Sequence, residues 1–121
     1  MEPMVGDHLT QWFTPAAHAA QIPALEAIGT MIARTPVEGY AGCVNGVIQT
    51  DYADRLGEIQ SPAIFICGAE DVGDFVKQAH HMHGAVAGSR LVIIEGAAHL
   101  CNLEKPEEFN RALRDFLTDE T

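Results

Sequence analysis

The sequence is poor in cysteine and serine. Its three cysteines, Cys43, Cys67 and Cys101, are far apart and form no C-x-x-C pair, which argues against a disulfide framework and against a zinc site. This usage is typical of a reducing compartment, so we expect a cytoplasmic protein. The only serines are Ser61 and Ser89, and no G-x-S-x-G or G-x-C-x-G segment occurs. The nucleophile that such a motif presents is therefore missing from the chain.

Basic residues and long apolar runs are also scarce. The chain has 7 Lys and Arg against 17 Asp and Glu, and its formal net charge is −10 at pH 7. This balance argues against nucleic acid and anionic membranes as partners, because excess carboxylate is repelled by both. No apolar run has the length of a membrane span, and the first residues lack the pattern of a signal peptide. The 121 residues correspond to one domain at most.

An alternating β-α-β-α pattern occupies the second part of the chain. Short apolar runs at 63–67 and 91–94 predict strands, and residues 74–87 between them have the length of a helix. A terminal helix is predicted from Pro106, and its apolar face consists of Phe109, Ala112, Leu113, Phe116 and Leu117. This order predicts an α/β fold with parallel strands. Two strands alone do not make a stable covered sheet, so we expect further strands from upstream sequence or from another chain.

The first part of the chain is predicted to be helical. One helix is expected over residues 22–34, where apolar residues recur at helical spacing. Residues 35–38, Thr-Pro-Val-Glu, have the form of a capping box with Thr at the N-cap, and they predict a second helix that ends near residue 48. The chain is therefore divided into a helical cap segment, residues 1–58, and a β-α-β-α segment, residues 59–121.

An acid and a histidine each follow one of the predicted strands. Asp71 comes shortly after the first strand and His99 shortly after the second. Because the carboxyl ends of parallel strands meet at one edge, we expect these side chains within hydrogen-bonding distance, about 2.6–3.2 Å. The carboxylate then fixes the imidazole tautomer and leaves the other nitrogen free as a general base. Glu70 and Asp74 are the alternative acids.

Two longer segments around these residues resemble the α/β-hydrolase superfamily. The string GAAHLCNLEKPEEFN, residues 96–110, is similar to its C-terminal histidine motif, and PAIFICGAED, residues 62–71, is similar to its acid-bearing strand and turn. The resemblance covers roughly residues 59–117 and implies the C-terminal part of an α/β-hydrolase fold. It also implies that Asp71 and His99 are members of a Ser-His-Asp triad whose serine lies outside this chain. The 121 residues alone are then expected to be inactive.

The cap segment resembles more narrowly that of 3-oxoadipate enol-lactonases. The similarity lies in Trp12-Phe13-Thr14-Pro15, in residues 35–43, in Asp51-Tyr52, and in the A-H-L-x-N-x-E-x-P-x-x-F-N form of the histidine loop. The resemblance implies hydrolysis of a small-molecule ester or lactone in the β-ketoadipate pathway of aromatic degradation, without a metal or other cofactor. A carboxylesterase, a cofactor-free haloperoxidase-like enzyme and a non-catalytic truncated module are the alternatives.

Three aromatic residues of the cap segment are candidate substrate contacts. Trp12, Phe13 and Tyr40 are candidates to line the acyl pocket, with core packing as the alternative role. The sequence departs from the family at Gln11, where a basic residue commonly precedes the Trp-Phe pair. It departs again after Asp71, where the usual proline-containing loop is replaced by Val-Gly-Asp-Phe.

A histidine cluster raises the possibility of a metal site. His80 and His83 share a helix face, whereas His81 does not, and no nearby carboxylate completes a ligand set. We therefore predict a solvated helix face here and no metal site. The partner expected for the chain is its missing N-terminal half, with self-association as the consequence when that half is absent.

Overall fold

The computed structural model describes residues 1–118, so residues 119–121 of the predicted second segment lie outside the described part. The first segment contains α1 (Val5–Trp12), α2 (Pro15–Ala20), α3 (Pro23–Arg34) and α4 (Val37–Ile48), with 3-10 turns at Glu2–Met4 and Ala53–Glu58. It is followed by β1 (Ile64–Gly68), α5 (Phe75–Ala85), β2 (Arg90–Ile94), α6 (Cys101–Glu104) and α7 (Pro106–Thr118). Within residues 1–118, no helix has the length and hydropathy that a membrane crossing requires.

The two strands are neighbours in a parallel sheet, as the β-α-β pattern predicts. Ile64 pairs with Arg90 at one end, and Gly68 pairs with Ile94 at the other. Helix α5 connects the strands and packs against both of them, with Ala79 buried. This crossover places the carboxyl ends of both strands at one edge of the sheet, where the loops that follow them emerge together.

The end of β1 packs directly against the loop that follows β2. A Cβ atom at Gly68 would collide with the carbonyl oxygens of Ala97 and Ala98, so only glycine fits this position. The backbone N–H of Glu70 donates to the carbonyl of Ala97 at 2.9 Å. These contacts hold the two loops side by side, and they position the residues that follow each strand.

The core lies between the sheet and α7. Ile94, Ala97 and Cys101 are buried together, and they are flanked by the partly buried Ile66, Val92 and Phe109. Most of the predicted apolar face of α7 is half-buried, but Leu117 is exposed, so its inclusion in that face was wrong. Successive helical residues point about 100° apart, and Phe116 rather than Leu117 is the one that is partly buried.

The junction between α3 and α4 differs from the predicted capping box. Pro36 lies at the N-cap position of α4, and no side chain caps that helix. The hydroxyl of Thr35 instead donates to the carbonyl of Met31 at 2.9 Å, in the last turn of α3. Because α3 continues to Arg34, Thr35 ends the preceding helix and its hydroxyl is used there. The predicted ranges of the two helices agree with those observed.

Candidate active site

Asp71 and His99 meet at the edge of the sheet where both strands end. Nδ1 of His99 lies 3.0 Å from Oδ1 and 3.1 Å from Oδ2 of Asp71. Both distances fall within the range that the sequence predicts. The side chain of Asp71 is 6% exposed, whereas that of His99 is 35% exposed. The carboxylate is therefore shielded while the imidazole reaches the surface.

The carboxylate of Asp71 is oriented by the backbone and in turn orients the imidazole. Its Oδ1 also accepts a hydrogen bond from the N–H of Val72 at 2.8 Å. A carboxylate facing Nδ1 favours the tautomer with the proton on that nitrogen, and the lone pair is then on Nε2. The pair is chemically capable of general-base catalysis, in which Nε2 takes a proton from a neighbouring hydroxyl.

The two alternative acids lie outside this contact. Glu70 is exposed, and its backbone N–H joins the two loops. Asp74 is exposed immediately before α5, where its carbonyl accepts from the N–H of Gln78 at 2.8 Å. Within residues 1–118, Asp71 is the carboxylate that hydrogen-bonds to His99.

A row of rings extends from His99 across the cap segment. The ring centroid of Trp12 lies 6.1 Å from that of His99, and the ring of His8 lies 4.7 Å from that of Trp12. The ring of Tyr40 is 5.8 Å from that of His8, whose Nε2 lies 3.3 Å from the Tyr40 hydroxyl. The fold therefore brings Trp12 next to the imidazole and connects Tyr40 to it through two intervening rings.

Phe13 lies in the interior instead. Its side chain is 2% exposed, and its backbone is extended, so its side chain points away from that of its neighbour Trp12. Phe75 lies where sequence reasoning placed no substrate contact, with its ring centroid 5.0 Å from that of His99. The sequence feature that could have indicated this contact is an aromatic residue at the first position of the helix that follows the acid.

A groove of about 380 Å³ opens beside the pair, and its lining includes Cys67, Asp71, Phe75 and His99. Burial raises the pKa of the Cys67 thiol to about 11, and the negative charge of Asp71 adds to the shift. Sγ of Cys67 lies 3.7 Å from Oδ2 of Asp71. The thiol is protonated at neutral pH, so it acts as a small apolar group in the groove.

The remaining histidine and serine candidates lie elsewhere. Oγ of Ser89 is 2.9 Å from Nδ1 of His83 and donates to the carbonyl of the same residue at 3.2 Å. His80 and His81 are exposed on α5. Within residues 1–118, no group of three or more His, Cys, Asp or Glu side chains is arranged to hold a metal ion.

Glu104 is the second residue near the site that sequence reasoning did not single out. Its carboxylate accepts a hydrogen bond from the N–H of Ala98, directly before His99. It also accepts two hydrogen bonds from Thr14 in the cap segment. The sequence feature that could have indicated its role is its place in the histidine motif, five residues after His99.

Parallel strands joined by a helix, with an acid after the first and a histidine after the second, define the C-terminal part of an α/β-hydrolase fold. No protein-family model matches the chain. The crystal structure of a hydrolase from Pseudomonas aeruginosa is similar to it with a TM-score of 0.90 and 32% identity. The similarity covers 98% of this chain and 44% of that one. The chain is therefore related to the α/β-hydrolases and corresponds to the C-terminal part of their fold.

Its relatives include 3-oxoadipate enol-lactonases. The crystal structure of the enol-lactonase from Burkholderia xenovorans is similar with a TM-score of 0.93 and 28% identity, covering 98% of this chain and 45% of that one. The 3-oxoadipate enol-lactonase 2 of Acinetobacter baylyi is 29% identical over 113 residues, which are 93% of this chain and 42% of the relative. The chain thus spans less than half the length of the relatives it matches.

Proposed function

We propose that this chain carries the acid and the histidine of a Ser-His-Asp triad in an ester or lactone hydrolase similar to 3-oxoadipate enol-lactonases. The observation that supports it is the hydrogen bond of 3.0 Å between Nδ1 of His99 and Asp71 at the shared strand edge. The serine and the backbone donors of the oxyanion hole come from sequence outside the 121 residues. Activity belongs to the assembled enzyme, and these residues alone are inactive.

His99 acts twice in the proposed reaction. Its Nε2 takes the serine proton as Oγ attacks the carbonyl carbon, and Asp71 stabilises the imidazolium that forms. The imidazolium then returns the proton to the leaving oxygen as the acyl C–O bond breaks. In the second half Nε2 takes a proton from water, whose oxygen attacks the acyl-enzyme, and the serine recovers its proton as the acid leaves.

The substrate side of the proposal rests on the rings around His99. Trp12 and Phe75 form aromatic walls next to the imidazole, and Tyr40 lies further out along the same row. The substrate is a small ester or an enol-lactone of the β-ketoadipate type. Because Gln11 carries no charge, we expect weaker preference for a lactone that bears a carboxylate than a basic residue there would provide.

The same proposal predicts what covers the edge of β1. Residues Ile64, Phe65 and Ile66 are half-buried and line the groove beside the pair. Upstream strands of the complete enzyme cover this edge, and in the isolated chain a second copy takes their place. Sedimentation of the 121-residue chain should show association, and a monomer with cooperative unfolding would contradict this part of the proposal.

The proposal is tested by fusing the chain behind an upstream α/β-hydrolase half that carries a G-x-S-x-G serine. We expect hydrolysis of an activated ester and of an enol-lactone without added metal and with a chelator present. A fusion protein that hydrolyses simple esters but no lactone identifies a carboxylesterase. A folded fusion protein with no hydrolytic activity contradicts the proposal, as does a strict metal requirement.

A further inference from the structure

Glu104 bridges the histidine loop and the cap segment. Its Oε2 accepts a hydrogen bond from the N–H of Ala98 at 2.6 Å. Its Oε1 accepts one from the N–H of Thr14 at 2.9 Å and another from the Thr14 hydroxyl at 2.7 Å. Ala98 and Thr14 are both buried. One carboxylate thus joins parts of the chain that are 90 positions apart.

A second bond lies on the other side of His99. The N–H of Leu100 donates to the carbonyl of Trp12 at 3.1 Å. The two residues that flank His99 are therefore both bonded, one to Glu104 and one to Trp12. We call the hydrogen bonds of Ala98 and Leu100, together with those between Glu104 and Thr14, the clasp. It restrains the backbone on both sides of the imidazole and holds Trp12 beside it.

The Glu104 position of the clasp requires a carboxylate. Both carboxylate oxygens are acceptors, and the three groups that face them are donors. A glutamine at residue 104 presents one acceptor and one NH₂ group, so an NH₂ group would face either Ala98 or Thr14. Hydrogen bonds to a charged acceptor are also roughly twice as strong as neutral ones.

We propose that Glu104 is a positioning residue that holds His99 in register with Asp71 and with Trp12. It acts through the backbone of Ala98 rather than by touching the imidazole. The effect that we expect on catalysis rests on the function proposed above. The effect that we expect on the orientation of the His99 ring concerns this chain alone. The two are therefore tested separately.

The geometric test uses the 121-residue chain labelled with ¹⁵N-histidine. We expect the ring nitrogens of His99, assigned with a His99→Gln variant, to report one tautomer with the proton on Nδ1. Glu104→Gln should shift these signals towards a mixture of tautomers. Thr14→Val should do so less, because it removes one of the three bonds to Glu104, together with the bond that Thr14 accepts from the N–H of Ala17 at the start of α2. The control is Glu107→Gln, which makes the same charge change at an exposed position of α7.

Two results decide the geometric test. A change in the His99 ring signals with an otherwise preserved amide spectrum supports the positioning role. Ring signals that stay as in the wild type in both Glu104→Gln and Thr14→Val overturn it. If Glu104→Gln unfolds the chain, the same decision falls to Thr14→Val, which leaves the carboxylate and two of its bonds in place.

The kinetic test uses the fusion protein. We expect Glu104→Gln to lower kcat by about 10- to 100-fold, because a displacement of about 1 Å in a catalytic group has costs of that order. KM should change much less than kcat. Glu104→Asp should recover little of the kcat lost in Glu104→Gln, because the aspartate side chain is shorter. A kcat equal to the wild-type value overturns the expected effect on catalysis. If the wild-type fusion protein has no activity, the proposed function fails, and the His99 ring signals still decide the positioning role.

Discussion

The histidine loop, residues 96–104, and helix α4 are held in place in opposite ways. The loop contains the buried residues Ala97, Ala98 and Cys101, and the clasp bonds it to Trp12 and Thr14 in the cap segment. Helix α4 has no buried residue, and its last two residues, Val47 and Ile48, are 75% and 76% exposed. Long-range contacts therefore dictate the conformation of the loop, whereas local hydrogen bonds maintain α4.

This difference predicts where substitutions matter. A helix held by its own backbone bonds tolerates surface changes and gains from a better helix former. A loop held by distant partners is sensitive to an added atom or a lost acceptor, because the hydrogen bonds inside it do not by themselves fix its position against the cap segment. Asp71, Trp12 and Phe75 lie beside His99 of the loop, whereas Tyr40, at the outer end of the row of rings, lies in α4.

The largest effect is expected at the acid–histidine pair. In the active fusion protein, His99→Ala should lower kcat by several powers of ten, because serine is a weak nucleophile without a base. Asp71→Asn should lower it by about 10⁴-fold through the wrong imidazole tautomer. The matched control is Glu70→Gln, which makes the same type of change at the adjacent exposed position. If His99→Ala left kcat unchanged, the assignment of His99 as the general base would be wrong.

A glycine-to-alanine change should have opposite signs in the two regions. Gly68→Ala should destabilise the chain by about 1–3 kcal/mol or more, because the new Cβ collides with the carbonyls of Ala97 and Ala98. Gly46→Ala in α4 should stabilise it by about 0.5–1 kcal/mol, because no atom lies near its Cβ and alanine favours the helix. Urea unfolding measures both. Equal effects of the same sign would contradict the comparison.

An aromatic wall should affect binding more than chemistry. Trp12→Ala in the fusion protein should raise KM several-fold or change the preference between lactone and ester, since the ring lies 6.1 Å from that of His99. Leu117→Ala, at an exposed position of α7, is the control and should leave both constants unchanged. If Trp12→Ala altered neither KM nor the preference between lactone and ester, the Trp12 ring would have a packing role only.

The smallest effect concerns the thiols. Cys43 in α4 is exposed and should react first with iodoacetamide, whereas burial raises the pKa of Cys67 and of Cys101 and slows their reaction. For Cys67, the pKa of about 11 in the folded chain exceeds the ordinary value of 9.0. The unfolded state therefore loses this proton first, so the free energy of unfolding is unaffected below about pH 9 and falls as pH rises towards 11.

Replacement of Cys67 tests that linkage. The free energy of unfolding of Cys67→Ala should fall less between pH 8 and pH 10.5 than that of the wild type. Cys43→Ala should retain the dependence of the wild type, because that cysteine is exposed. Identical pH dependence in the two variants would contradict the role of burial at Cys67.

Much of the site could be predicted because its determinants are local. The strands are short apolar runs, and Asp71 and His99 follow them at distances that place both residues at one sheet edge. The sequence was less informative about neighbours of the pair. Phe13 and Trp12 are adjacent aromatics, and only the extended backbone shows that one is buried while the other lies beside His99.

Capping is a second case in which local pattern was misleading. The string at residues 35–38 fits a capping box, yet Thr35 bonds to the helix before it rather than to the helix after it. Either helix can provide a hydrogen-bond partner for the Thr35 hydroxyl, and the length of α3 determines which one does. Phe75 was missed for a related reason, since its place beside His99 depends on where α5 begins relative to a loop 24 residues later.

Hydrophobic periodicity was sufficient to predict the parallel strands and the ranges of α3, α4, α5 and α7, because it is a local property, whereas the individual ranges of α1, α2 and α6 were not predicted. Asp71 and His99 were chosen from their positions after the strands, together with the resemblance of residues 62–71 and 96–110 to the α/β-hydrolases. The folded chain was needed to show that Glu104 bonds to Thr14 and Ala98, that residue 68 must be glycine, and that Phe75 rather than Phe13 lies beside His99. These contacts join residues from distant parts of the chain, and no local pattern specifies which distant groups the folded backbone brings into contact.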